Sequence, residues 1–210
     1  MLAIRRLGRL SYEAALAIQE EVQEGVIAGK TPSTLLMVEH DPVYTLGRTR
    51  GASANLLDPG DVPVIEVGRG GDVTFHGPGQ LVVYPILKLE DSWKDLHRVL
   101  RCLEEAAILC CSDFGLEAYR DPRNTGAWVN GKKICAIGIG CRKWVTWHGM
   151  ALNVSTNLDY FQRINPCGMD AQLVTSLSNE LQKSPSWNIV ETTLLKRLQE
   201  VFSDLTTETR

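Results

Sequence analysis

The 210-residue sequence has no long apolar run. Its longest uninterrupted stretch, Ala106 to Cys111, holds six residues, against the ~18 that a membrane-spanning helix needs. It also has no basic excess: 22 Lys+Arg stand against 25 Asp+Glu, a net charge of -3. That balance speaks against a general nucleic-acid binder, which would carry a basic face. The six cysteines, at 102, 110, 111, 135, 141 and 167, form no CxxC pair, so no zinc knuckle or other metal site is expected. No GK[ST] closes a glycine-rich loop and no GxGxxG opens a helix, which removes the common nucleotide-binding readings. Repeats, low-complexity tracts and long Pro/Gly/Ser linkers are absent too. Arg5, Arg6 and Arg9 are followed by no apolar segment or small-residue cleavage site, so a secretory signal is not expected, and Glu13 and Glu20 argue against a mitochondrial presequence. Free thiols in a reducing, cytoplasmic compartment are the expectation. The alternative is a mitochondrial protein whose presequence has been removed.

Hydrophobic residues make up 44% and charged residues 22%, a composition of ordinary globular domains. One domain over 1–210 is expected. Ser11 opens a helix running to about Gly29, with Ala14, Ala15, Ile18, Val22 and Val26 as its apolar stripe. Strands are expected over Leu35 to Val38, Val43 to Leu46, Val62 to Val67 and Leu81 to Leu89, where Pro85 indicates a bulge or a sheet edge. Ser92 and Asp95 resemble a capping box before a helix carrying Leu96, Val99, Leu100, Leu103, Ala107, Cys110 and Phe114. Asn130-Gly131 is the clearest hairpin signal, joining a strand ending at Val129 to one over Lys132 to Ile139. A further strand spans Val145 to Val154, and residues 188–205 form a last helix. Strands gather centrally and helices flank them without strict alternation, which predicts an α+β fold with a mixed or antiparallel sheet.

Two segments carry potential chemistry. In Arg69-Gly70-Gly71-Asp72-Val73-Thr74-Phe75-His76-Gly77-Pro78-Gly79-Gln80, four glycines let backbone approach a ligand closely, and Arg69 and His76 add polar reach. The same composition also suits a solvated turn. In Asn165-Pro166-Cys167-Gly168, proline and glycine flank a cysteine in a sharp turn that can expose a thiol. Cys102 and Cys110 lie on the apolar helix stripe, Cys135 lies among apolar neighbours, and Cys141 is the rival. A thiol nucleophile needs a partner that makes it a thiolate, and His76, His148, Lys132 and Lys133 are the candidates. Strand alternation puts Lys133, Cys135, Ile137 and Ile139 on one face and Lys132, Ile134, Ala136 and Gly138 on the other.

RGGDVTFHGPGQLVVYP (69–85), TGAWVNGKKICAIGI (125–139), WHGMALNV (147–154) and NPCGMDAQLVTSL (165–177) together resemble the lipoyl(octanoyl) transferase family over residues 7–181. The resemblance implies a domain similar to the catalytic domains of lipoate- and biotin-protein ligases. It implies transfer of an octanoyl group from octanoyl-acyl carrier protein to the lysine of lipoyl domains, the first step of protein lipoylation. Cys167 would carry the acyl group as a thioester and Lys133 would assist it. Arg69, Gly70, Gly71, Asp72, Val73, Thr74, Phe75, His76, Ala136, Ile137, Gly138, Gly149, Met150 and Ala151 would bind substrate. Val73, Phe75, Ile137 and Met150 would hold the acyl tail.

The implied acceptors are lipoyl domains of 2-oxoacid dehydrogenase E2 subunits and the glycine cleavage H protein. No cofactor, metal, nucleic acid or membrane is implied, and a monomer is expected. A thioester donor and an amide product make the transfer downhill without ATP. Lys133, with its pKa lowered by burial, would serve both half-reactions. Oxyanion donors are expected near Gly77 to Gly79 or Cys167-Gly168. Because acyl carrier proteins and lipoyl domains are acidic, Arg48, Arg50, Lys132, Arg142 and Lys143 are docking candidates. Cys135 stands where a small residue is expected. The alternatives are an ATP-dependent lipoate-protein ligase, an amidotransferase acting between lipoyl domains, and a non-catalytic binding module.

Overall fold

The computed structural model describes residues 2–165 and 170–207. A seven-stranded mixed sheet runs in the order β1-β2-β6-β10-β9-β8-β7. Its strands are β1 (Ala3–Leu10), β2 (Thr34–His40), β6 (Gln80–Ile86), β7 (Ala118–Asp121), β8 (Asn124–Val129), β9 (Lys132–Arg142) and β10 (Val145–Asn153). β1 and β2 are parallel, and the other neighbours are antiparallel. A small second sheet holds β4 (Val64–Glu66), β3 (Val43–Leu46) and β5 (Val73–His76). β1 went unseen in the sequence because its arginines interrupt the apolar alternation. It is an edge strand, where exposed Arg5, Arg6 and Arg9 are tolerated.

Helix α1 (Tyr12–Ile27) starts as expected, with the Ser11 hydroxyl accepting from Ala14 N. It covers one sheet face through Ala15, Val22 and Val26, against Leu36, Val38, Val82 and Ala151. α2 (Leu96–Asp113) and α4 (Trp187–Val201) cover the other face through Val99, Leu103, Ala107, Leu194 and Leu198, against Met37, Leu81, Val83 and Leu152. Asp95 alone caps α2, its carboxylate accepting from His97 N. Ser92 instead accepts from Arg98. The short α3 (Leu177–Leu181) precedes α4, and α5 (Ser203–Thr207) follows it after a break at Phe202, so the last helix is two pieces.

Two sequence expectations are corrected here. Pro85 is not on an edge: β6 lies inside the sheet, between β2 and β10. Its missing N–H costs nothing because β10 pairs with β6 only from Met150 to Asn153. Beyond that, His148 takes a left-handed φ of 54° and the strands part. The Thr146 hydroxyl fills the gap, donating to Pro85 O and accepting from Leu87 N. Gly149 sits at the parting, where an added Cβ would overlap the Val83 carbonyl and the Pro85 ring.

The second correction concerns β9. Asn130 and Gly131, both at positive φ, make the expected tight turn. One residue further, however, the β8–β9 register slips. Trp128 faces Lys133, while Ala127 faces Cys135. Ile134 is therefore an extra residue, and a bulge resets the alternation. Cys135 packs into the core beneath α2, whereas Lys133 emerges on the face of Ala136 and Gly138. The two do not share a face.

Gly149→Ala should destabilise the fold by about 1–3 kcal/mol through overpacking at the β6–β10 gap. Urea unfolding with an unchanged m-value checks this.

Candidate active site

A cavity of about 220 Å³ lies on the α1 side of β9 and β10. The sequence makes the room. Ala136 pairs with Ala151 and Gly138 with Gly149 across the two strands, so the floor is built from the smallest side chains. The walls come from Arg69 to Thr74, which pass over the strands. Gly70 N donates to Ile139 O, and a Cβ on Gly138 would press on the Gly70 carbonyl. Val73, Ile137, Ile139, Met150, Phe161 and Val174 supply apolar surface.

Lys133 stands at one end, where Val174 and Asn124 also line the cavity. Its side chain is buried. Nζ donates to Asn124 Oδ1 at 2.9 Å and lies 5.5 Å from the centre of the Trp128 ring. The stem runs over Gly126, whose φ of 143° and missing Cβ admit it. Gly126 N is held by the buried Glu104 carboxylate, which also accepts from Arg101 and Arg120. Neither Asn124 nor Glu104 had a signal in the sequence, because one is in a short strand and the other on the polar rim of a helix stripe.

The other end is closed by polar rings that are neutral. The His40 imidazole faces the Leu10 carbonyl at 3.2 Å, an acceptor only, so Nδ1 carries the proton. Nε2 then accepts from the Tyr84 hydroxyl at 2.7 Å. Gln80 Nε2 is committed to Phe75 O and Asn153 Oδ1, which leaves its oxygen to accept from His76 Nδ1 at 2.7 Å. Tyr12 Oη lies 3.3 Å from His148 Nδ1. Burial is the main cause of the shifted acidities. It pushes His40 down to about 4 and His148 to about 3, with Arg69 adding to the latter, and it holds His76 well below its ordinary value. Tyr12 is raised to about 12 and Tyr84 is raised well above its ordinary value.

Of the expected substrate residues, Arg69, Gly70, Gly71, Asp72, Val73, Thr74, His76, Ala136, Ile137, Gly138, Gly149, Met150 and Ala151 all line this cavity. Phe75 does not. It points away from the cavity and stacks on Tyr160 with ring centres 4.4 Å apart. Of the expected oxyanion donors, Gly79 N is engaged, donating to Glu39 at 2.7 Å. The basic docking candidates are well separated. Lys132 and Arg142 stand at opposite ends of the eleven-residue β9, roughly 35 Å apart, and Arg142 is paired with Glu24.

Cys167 and Gly168 lie outside the described residues, but the chain on both sides is anchored. Ile164 bridges to Leu56, and Val174 bridges to Lys133, with Thr175 N donating to Lys133 O. Cys102, Cys110, Cys111, Cys135 and Cys141 all have thiols pushed up by burial. Among the described residues no cluster of metal-ligating side chains occurs, and no helix is long and apolar enough to cross a membrane.

A sheet covered on both faces, with a small-residue floor and a buried strand lysine, defines the class. Residues 11–199 match the lipoyl protein ligase A/B catalytic domain family. The fold is similar to that of a lipoate-protein ligase A solved bound with ATP, with a TM-score of 0.78, 18% identity, and coverage of 96% of this chain and 85% of that one. It is similar, at a TM-score of 0.61 and 14% identity, to the biotin protein ligase of Aquifex aeolicus, covering 98% of this chain and 72% of that one.

Within that class the sequence relatives are specific. An octanoyltransferase of Geobacter metallireducens is 57% identical over 175 residues, 83% of this chain and 81% of its own. One of Rubrobacter xylanophilus is 45% identical over 97% of this chain and 95% of its own. The chain belongs to the octanoyltransferase family, acyltransferases that move an octanoyl group in protein lipoylation.

Filling the floor tests the cavity: Ala136→Leu should lower octanoyl transfer about tenfold or more while leaving the circular dichroism spectrum unchanged. A second test uses pH. The three histidines are held neutral in the fold, so the unfolded chain binds more protons below pH 6.5. Stability should be complete above that value and fall as the pH drops toward 4, by on the order of 1 kcal/mol per pH unit per histidine. Ring signals of His40, His76 and His148 that stay constant from pH 8 to 5 in NMR would agree.

Proposed function

We propose that the enzyme works by two acyl transfers at Cys167, a thioester exchange and then aminolysis, with Lys133 as the proton carrier. The observation that carries this reading is the buried Lys133 amine at the end of the acyl-sized cavity, with the backbone of Lys133 bridged to Val174, seven residues after Cys167 in the sequence. The raised thiols of the five other cysteines support it by elimination, since a nucleophile must be a thiolate.

In the first half-reaction Cys167 gives its proton to neutral Lys133 and its sulfur bonds the acyl carbon. The bond to the donor sulfur breaks, and the donor thiol leaves with the proton from Lys133. In the second, the acceptor amine bonds the acyl carbon, the Cys167 C–S bond breaks, and Lys133 relays one amine proton to the leaving thiolate. No proton or electron is left over, and no ATP is consumed. Asn124 holds the amine in place for both steps.

The partners in this reading are octanoyl-acyl carrier protein as donor and lipoyl domains as acceptors, among them those of E2 subunits and the glycine cleavage H protein. Both are acidic, and Arg48, Arg50 and Lys132 are exposed for docking. The setting is the cytoplasm, where the thiols stay reduced.

Intact mass after incubation with octanoyl-acyl carrier protein, without ATP, tests the reading. Wild type should gain one octanoyl group that a lipoyl domain then discharges, and Cys167→Ser should gain none. Lys133→Ala should lose at least about 100-fold in rate. An adduct on Cys167→Ser, or transfer only with free octanoate and ATP, would overturn it.

A further inference from the structure

The end of the cavity away from Lys133 is more polar than a hydrocarbon tail requires. His148 lines it at 1% exposure. Its backbone N–H donates to Gln19, and its Nδ1 meets the Tyr12 hydroxyl. Nε2 is buried and, among the described residues, meets no hydrogen-bond partner. A buried polar atom left this way costs about 1–3 kcal/mol. Tyr12 holds the ring through Nδ1, Gln19 holds the backbone N–H, and Trp147 and Tyr84 pack on the ring with centres 4.3 and 6.3 Å away.

The protons along this end can be followed. The Leu10 carbonyl sets the His40 tautomer, and His40 takes the Tyr84 proton, so the Tyr84 oxygen is left to accept. Tyr12 also meets Tyr84. If Tyr12 donates to Tyr84, His148 donates from Nδ1 and Nε2 is a bare lone pair. If Tyr12 donates to His148, Nε2 bears the hydrogen. In both arrangements Nε2 is the loose end of the chain. A hydroxyl, which both donates and accepts, satisfies either one.

We infer that the cavity takes medium-chain acyl groups carrying a hydroxyl at the far end of the chain, and that His148 Nε2 is the atom that receives it. This rests on the reading that the cavity holds the acyl chain with its carbonyl toward Lys133. The polar wall of Tyr12, His76 and Tyr84 lets the oxygen enter without facing only hydrocarbon. In an apolar pocket the same hydroxyl would weaken binding about tenfold or more.

The test is calorimetric binding of hexanoate, octanoate and decanoate and of their ω-hydroxy derivatives to the full chain. At least one hydroxy acid should bind within about threefold of its parent or tighter. In His148→Phe the ratio of hydroxy acid to parent should fall about tenfold. Should that variant fail to fold, the ¹⁵N signal of His148 Nε2 in wild type decides: it should shift with the hydroxy acid and not with the parent. If every hydroxy acid binds tenfold weaker than its parent, or Nε2 is indifferent to the hydroxyl, the inference is wrong. If neither acid series binds, the assignment of the cavity to the acyl chain fails instead.

Discussion

One extra residue in β9 decides where the Lys133 amine points. Without the bulge at Ile134, Lys133 would alternate with Cys135 into the dry core beneath α2, where a charged amine has no partner and a large desolvation cost. With it, Ile134 and Cys135 both serve the core, and Lys133 reaches the cavity. The neighbouring strand is shaped to receive it. Gly126 clears the space for its stem, Asn124 accepts from its amine, and Glu104 reaches across from α2 to hold the Gly126 amide. A buried carboxylate is costly by itself, but this one is fully employed by two guanidinium groups and a backbone N–H.

The cavity depends on a second irregularity, at the other end of β10. Pro85 cannot donate, and His148 adopts a left-handed backbone, so β6 and β10 separate there. Tyr12 and Gln19 tie His148 to α1 through uncharged hydrogen bonds, and Tyr84 of β6 bonds His40 of β2. Keeping these rings neutral matters: three imidazoles and Arg69 converge, and protonating the imidazoles would crowd like charges in a buried space. The cavity is thus a stretch of sheet with a small-residue floor, held open between a bulge at one end and a strand separation at the other.

Much of this was readable from the residues. The apolar stripe of α1, the Ser11 cap, the Asn130-Gly131 turn and the central strands follow from local preferences that tertiary packing reinforces. The four motif segments named the family, and thirteen of the fourteen expected substrate residues do line one cavity. The failures were of one kind. β1 was missed because an edge strand tolerates arginines, and Pro85 is tolerated inside the sheet because β6 and β10 part beside it, where its carbonyl accepts from a hydroxyl sixty-one residues away. Phe75 was assigned to the tail pocket from its neighbours, yet β5 belongs to the small sheet and turns that ring toward Tyr160.

The sequence by itself determined the family, the chemistry available to it and the segments that carry that chemistry, because those rest on residue types and short-range spacing. Only the tertiary structure decided which face Lys133 occupies, which carboxylate and amide fix it, and that three uncharged rings from α1, β5 and β10 line the far end of the cavity beside Tyr84, with His40 of β2 packed behind them. Those outcomes depend on register, and a single-residue slip moves every side chain beyond it to the opposite side of the sheet.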